Sequence, residues 1–346
     1  MMRADDAVEV RGKRERRERL TVLPPRAGLR SVVDDGLRAV LREIHPAQQR
    51  LCAEALGIVD AEGQRVDGGA ERLRPLLCLR VCEALGGETD RALLAALALE
   101  CIHAFSLVHD DVADGERERA GGRALWVNAG VRAALCAGTA LLAQGLGLGW
   151  RAGHREALLI QSAAATTIAG QHLELGAEWA AASSVADWER LALHRTGALF
   201  AAAGAAGAAA TGAGDSTVEV WWQLGERLGL AFQAREDILG VWGDAAAGAR
   251  PGDADQGRRL AILPVVAALE RGGAAVAAAL DDPRLGPAQL IRVLEDAGAR
   301  QRAAEVEMMH RDAVRDLIAQ QVPQTPAGDA LRALVSSLWG RRRSSV

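Results

Sequence analysis

Three aspartates close one stretch of this 346-residue chain, Glu100-Cys-Ile-His103-Ala-Phe105-Ser-Leu-Val-His109-Asp110-Asp111-Val-Ala-Asp114. On a helix Asp110 and Asp114 share a face, and Asp111 sits ~100° around from Asp110. Carboxylates this close resist ionising together unless a cation joins them. They offer all-oxygen ligation, which suits a hard ion, Mg²⁺ first. Mg²⁺ held by few carboxylates completes its shell with water and substrate phosphate, so the segment points to a phosphorylated substrate. Clustered aspartates are more often a solvated helix end. Here apolar Phe105, Leu107 and Val108 precede them, which sets the acids at the mouth of a buried helix. A second stretch, from Gly229 through Phe232, Gln233, Glu236 and Asp237 to Asp244, also reads as an apolar helix ending in acids. Two such helices facing each other would put carboxylates on both sides of a cavity, a geometry that clamps a diphosphate between Mg²⁺ ions.

The elements that must carry these acids are helices. The chain is 49% hydrophobic and rich in Ala, Leu, Gly and Arg, without Tyr and with three Phe, so strand formers are scarce and an all-α fold is expected. Helical patterns run over roughly 29–57, 72–86, 89–112, 125–150, 153–180, 185–212, 216–242, 258–272, 286–320 and 328–339. They break at Gly68-Gly69, Gly86-Gly87, Gly121-Gly122, Ala249 to Gly252, Pro283 and Pro323. Residues 1–28 read as a charged, solvated tail, and 29–340 as one large helical domain. The small-residue run from Thr196 to Gly214 signals close helix–helix contact rather than a membrane span, and no span is expected elsewhere. Net charge near −4 gives no reason to expect nucleic acid. Cys52, Cys78, Cys82, Cys101 and Cys136 have no metal-type spacing; an odd count fits a reducing cytoplasm. Lys13 is the only lysine among 41 basic residues, so arginine stands at every other cationic position.

The ordered motifs resemble those of the trans-polyprenyl diphosphate synthase family, especially its bacterial geranylgeranyl diphosphate synthase branch, over roughly residues 35–320. They are Arg72-Leu-Arg74-Pro75, His103 with Asp110-Asp111-x-x-Asp114, Gly170-Gln171-x-x-Glu174, Arg195-Thr196-Gly197, Phe232-Gln233-x-x-Glu236-Asp237, and Asp255 followed by Leu263-Pro264. The resemblance implies a single all-α isoprenoid synthase bundle around a deep central cavity, in the family usually a homodimer. It implies Mg²⁺ on Asp110, Asp111 and Asp114 from one side and on Glu236 and Asp237 from the other. Arg119, Arg195, Thr196 and Gln233 would hold the allylic diphosphate. Arg72, Arg74 and His103 would serve the second diphosphate, with Gln171, Phe232 and Arg250 as further substrate contacts. Phe105, five residues before Asp110, would floor the pocket and imply chains of about fifteen to twenty carbons, ~7.5 Å below the acids.

The sequence departs from the family where isopentenyl diphosphate should bind. The family's lysine in Gly-Gly-Lys-x-x-Arg-Pro is Glu71, and the second arginine after the first acidic motif is Ala120. Arginine preference explains Arg195 and Arg250 at family lysines; it does not explain these two. A unit charge pair at 4 Å is worth about 4 kcal/mol at an effective dielectric of 20, so both losses weaken that pocket. The leading expectation is therefore an enzyme that ionises an allylic prenyl diphosphate with Mg²⁺ and releases diphosphate, as terpene synthases do. The alternatives are a short-chain trans-prenyltransferase of the farnesyl or geranylgeranyl type, and a non-catalytic subunit that partners an active prenyl diphosphate synthase. Trp126, Trp150, Trp179, Trp221, Trp222 and Trp242 are candidate cavity aromatics for a terpene reaction, with core packing the commoner role for each.

Overall fold

The computed structural model describes residues 28–66, 70–119, 121–174, 184–243, 262–280, 282 and 285–340. Among them the architecture is all-α, apart from one two-residue hairpin. The first elements are α1 (Leu29–Leu41), α2 (Pro46–Ala55), α3 (Leu73–Ala84) and α4 (Thr89–Asp114). The hairpin β1 (Glu118–Arg119) and β2 (Gly122–Arg123) follows, then α5 (Leu125–Ala129), α6 (Val131–Ala152) and α7 (His154–Glu174). Next come α8 (Val185–Ala192), a π-turn (Leu193–Gly197), α9 (Ala198–Ala209) and α10 (Asp215–Trp242). Last are α11 (Leu263–Leu280, kinked at Gly273), α12 (Pro287–Asp296), α13 (Ala299–Gln321) and α14 (Pro326–Gly340).

Helix α4 is the spine. Nearly every residue from Ala92 to Val108 is buried, because its Ala, Leu and Ile side chains meet α3, α6, α7 and α9 on all sides. Gly115, at φ 66°, stops it one residue after Asp114 in a backbone conformation that favours glycine. Small residues let the neighbours come close. A Cβ on Gly138 of α6 would lie 2.6 Å from the His109 ring, and one on Gly145 would lie 2.7 Å from Ile102. Helix α9 is buried along its whole length, so the run read as a close-contact stripe does lie between helices. It packs on α10, α3, α7 and α4. Gly225 and Gly229 of α10 sit against the backbone of Phe200, Ala201 and Gly197.

Two readings of the sequence are corrected by the structure. Patterns that ran on in sequence are interrupted: His45-Pro46 separates α1 from α2, Gly130 separates α5 from α6, and Gly298 separates α12 from α13. Three helices, Thr89–Asp114, Val131–Ala152 and Leu263–Leu280, are long and apolar enough to cross a membrane by length and composition, contrary to the expectation of none. Alanine and leucine raise their mean hydropathy, and α4 uses that apolarity to build the core.

Candidate active site

The C-terminal turns of α4 hold the first acids. Asp110 and Asp114 are half-buried, whereas Asp111 is only 3% exposed. The hairpin explains the difference. Gly121 at φ 80° turns the chain so that Arg119 returns to Asp111. Arg119 Nε donates to Asp111 Oδ1 at 2.7 Å, its Nη2 donates to the same oxygen, and Nη2 reaches Glu116 at 3.3 Å. Burial opposes the charge on Arg119, yet Asp111, then Glu116 and Asp110, raise its pKa on balance. Trp126 Nε1 donates to the Glu116 carbonyl at 2.6 Å and pins the same turn.

Helix α7 joins the two acidic motifs. Gln171 Nε2 donates to Asp110 Oδ1 at 2.7 Å and to the Ser106 carbonyl at 3.0 Å. The residue before it, Gly170, lies so close to the π-turn that a Cβ there would be 3.0 Å from His194 and 3.2 Å from the Arg195 nitrogen. One residue further, Thr196 Oγ1 donates to Gln233 Oε1, and Gln233 Nε2 donates to Asp237 Oδ1 at 2.7 Å. A line of contacts therefore runs from Asp110 on α4, through α7 and the π-turn, to the acids of α10. Glu236, half-buried, sits beside Asp237 there.

Asp237 is buried and accepts hydrogen bonds on both oxygens. Its Oδ2 accepts from Trp188 Nε1 and from the Leu263 N–H, each at 2.9 Å. Burial raises its pKa, opposed by the Leu263 N–H, Arg195, Gln233 and Trp188. Asp237 thus ties the first turn of α11 to α8 and α10. Asp111 and Asp237, both expected to ligate Mg²⁺, are thus the buried acids, with protein donors on Asp111 Oδ1 and on both Asp237 oxygens. Asp110, Asp114 and Glu236 are the half-buried acids that remain.

Arg72, expected at the second diphosphate, stands just before α3. It is the sole non-glycine residue with positive φ among those described, at 56°, and its guanidinium turns into the protein. Nε bonds Asp34 Oδ1 at 2.9 Å and Nη1 bonds Glu100 Oε1 at 2.7 Å. Arg74 is buried with its guanidinium 4.8 Å over the Phe200 ring. Burial pulls its pKa down to about 10, with Glu100 opposing. His103 on α4 is held well below its usual pKa by burial, then by Arg74, Arg119 and Arg72, so it is a neutral imidazole beside arginines. Phe232 packs at a tilt against Phe200, ring centres 5.5 Å apart, and Phe105 likewise against His109 at 4.5 Å. Arg250, Asp244, Asp255, Ala120 and Trp179 lie outside the described residues, and of Glu174 only the backbone is described.

Sequence reasoning missed Trp188, Glu100 and Asp34. Glu100 carried a signal, a charge within an apolar helix; Trp188 carried none that set it apart from seven other tryptophans. Of the six candidate cavity aromatics, Trp221 is fully buried core, Trp222 bonds Glu226, Trp150 is 58% exposed and Trp242 lies under Arg300.

Among the described residues no three His, Cys, Asp or Glu side chains converge into a ready-made metal cage. That fits Mg²⁺ in its substrate-bound mode, in which a few carboxylates are completed by phosphate oxygens and water. The oxygen donors on one face of α4 are of the right kind for it.

The chain is similar to known proteins over most of its length. The Polyprenyl synthetase family model matches residues 60–283. A geranylfarnesyl diphosphate synthase from Aeropyrum pernix is 32% identical over 279 residues, covering 77% of this chain and 86% of the relative. A (2E,6E)-farnesyl diphosphate synthase from Mycobacterium bovis is 31% identical over 312 residues, 85% of this chain and 86% of its own. The crystal structure of a polyprenyl synthetase from Streptomyces coelicolor superposes with a TM-score of 0.80 at 30% identity, covering 89% of this chain and 97% of that one.

Proposed function

This chain belongs to the polyprenyl synthetase family, and from that premise we propose that it is a short-chain trans-prenyl diphosphate synthase that joins an allylic prenyl diphosphate to isopentenyl diphosphate. Relatives that align with most of its length are named as chain-building diphosphate synthases, and this observation carries the proposal. It places elongation ahead of the terpene synthase-like release that Glu71 and Ala120 had favoured. Arg74 and His103 support the same choice, because both keep the family's residue type at the second diphosphate site.

In this proposal Asp110, Asp114 and Glu236 would hold Mg²⁺ together with the phosphates. When bound, the metal draws negative charge onto the leaving diphosphate and favours its departure. Arg195 and Arg119 supply further positive charge to the leaving group, and Thr196 and Gln233 set the line of donors beside it. Gln171 fixes the Asp110 carboxylate in place, and Asp111 holds Arg119. Phe105 limits the depth available to the growing chain, which favours products of the farnesyl to geranylgeranyl size. Residues 29–340 act as one catalytic unit, working in the cytoplasm as a homodimer.

The test offers the purified protein Mg²⁺ and geranyl or farnesyl diphosphate, with and without isopentenyl diphosphate. Longer diphosphates formed only with isopentenyl diphosphate are expected. Hydrocarbon or alcohol released at the same rate without it would overturn elongation in favour of the terpene synthase reading. No conversion, with binding to an active synthase, would favour a non-catalytic subunit.

A further inference from the structure

Three arginines meet at the segment entering α3, and they differ in what they are bonded to. Arg72 is committed to Asp34 and Glu100. Arg74 has a buried Nε without a hydrogen-bond partner, and among the described residues Glu100 acts on it only at a distance, without a direct ion pair. Arg30, on the first turn of α1, shows the same pattern. Its Nη2 donates to the Ala70 carbonyl, its Nε is buried and unbonded, and no carboxylate among the described residues pairs with it. A buried guanidinium N–H left unbonded is unfavourable, so each of these arginines gains by meeting an anion.

Placement brings Arg30 to the loop that leads into Arg74. Arg30 and Asp34 are four apart and share a face of α1. Asp34 grips Arg72 while Arg30 grips Ala70, so that face of α1 lies along segment 70–72. Glu71 lies between the two gripped residues and carries negative charge where the family loop carries a lysine.

We propose that Arg30 supplies from α1 the cation that the loop lacks at Glu71, and that with Arg74 and His103 it binds the diphosphate of isopentenyl diphosphate. This rests on the elongating reading. Arg30 is then a binding residue that no motif in the loop reveals, because it comes from a helix forty residues upstream of Ala70.

Calorimetric titration of isopentenyl diphosphate into the full chain tests this, alongside initial rates with geranyl diphosphate and Mg²⁺. R30Q is expected to weaken isopentenyl diphosphate binding by about tenfold or more and raise its KM in parallel, the usual size of a lost charged hydrogen bond. The KM for geranyl diphosphate should stay within twofold. R30K should lose roughly threefold, for isopentenyl diphosphate only, since it keeps the charge and loses the fork. The loss from R30Q should persist when Glu71 is also replaced by alanine. Equal affinity in R30Q and wild type, or no binding to the wild type, overturns the assignment. So does a loss that vanishes in the E71A background, which would make Arg30 a mere counter-charge to Glu71. A loss equal for both diphosphates overturns it as well. If R30Q does not fold, R30K decides alone: weakening confined to isopentenyl diphosphate supports the assignment and no weakening overturns it. A wild type that binds isopentenyl diphosphate through Arg30 but makes no longer product would sink the elongating reading and leave this assignment standing.

Discussion

Each acidic motif pairs one half-buried carboxylate with one that is buried and bonded: Asp110 with Asp111, and Glu236 with Asp237. Adjacent acids on a helix point about 100° apart, so one can face a ligand while the next anchors the scaffold. The two roles separate by experiment. Asp110→Ala should cut turnover by on the order of a hundredfold or more, the scale of a lost electrostatic stabiliser, and leave the unfolding free energy within ~0.5 kcal/mol of wild type. Asp237→Ala should do the reverse first. It leaves the Trp188 N–H, the Leu263 N–H and the Gln233 amide without their acceptor, and should cost on the order of 3 kcal/mol in denaturant unfolding. If Asp237→Ala is as stable as wild type, the anchoring role assigned to it is wrong. These roles were illegible in the sequence because each motif simply presents two adjacent acids; only the hairpin behind Arg119 and the first turn of α11 tell the members of each pair apart.

At the scale of elements, the site is held by close approaches more than by large side chains. A Cβ on Gly225 would lie 2.3 Å from the Phe200 carbonyl and 2.5 Å from the Ala201 Cα, and one on Gly204 would lie 2.4 Å from the Trp221 carbonyl. These neighbours are backbone and cannot rotate away. Gly225→Ala is therefore expected to destabilise by about 1–3 kcal/mol or more, read as a lower thermal midpoint, and to lower activity by shifting Gln233 and Glu236 on the same helix. Gly240, one turn beyond Glu236 and with no neighbour within 4 Å, should accept alanine with little change. The Ala/Gly stripe of α9 was legible as a contact surface, since small residues spaced along a helix have few other uses. The breaks at Gly130 and Gly298 were not, because apolar periodicity continues across them and a positive φ leaves no trace in hydropathy.

For the molecule as a whole, one source of acid sensitivity is a buried histidine. His310 of α13 is fully buried, with Glu189 of α8 at 3.0 Å and Arg227 of α10 at 3.4 Å. Burial holds its pKa below the usual 6.5, with Glu189 opposing and Arg227 assisting. Between the folded value and 6.5 the unfolded chain takes a proton that the folded chain refuses. Its contribution is thus full above pH 6.5 and is lost as pH falls below it. His310→Gln should flatten the acid limb of the stability profile by up to about 1.4 kcal/mol per pH unit; an unchanged slope would remove His310 as its source. The all-α class and the path of the long helices were readable from periodicity, and the acids from their clustering. The long-range partners were not, since Asp34, Glu100 and Trp188 gain meaning only once α1, α4 and α8 are brought to the same place. The π-turn at Leu193–Gly197 shows how tightly such meetings are tuned. It carries one residue more than a regular helical path would need between α8 and α9. Deleting His194 would let the two helices run on as one, with the buried alanine stripe still able to fill its slot. Arg195 and Thr196 would be wound back by ~100° relative to one of the two flanking helices, and Thr196 would part from Gln233. The variant lacking His194 is expected to keep its thermal midpoint within a few degrees and to lose turnover; retained turnover would show that the extra residue of the π-turn is dispensable.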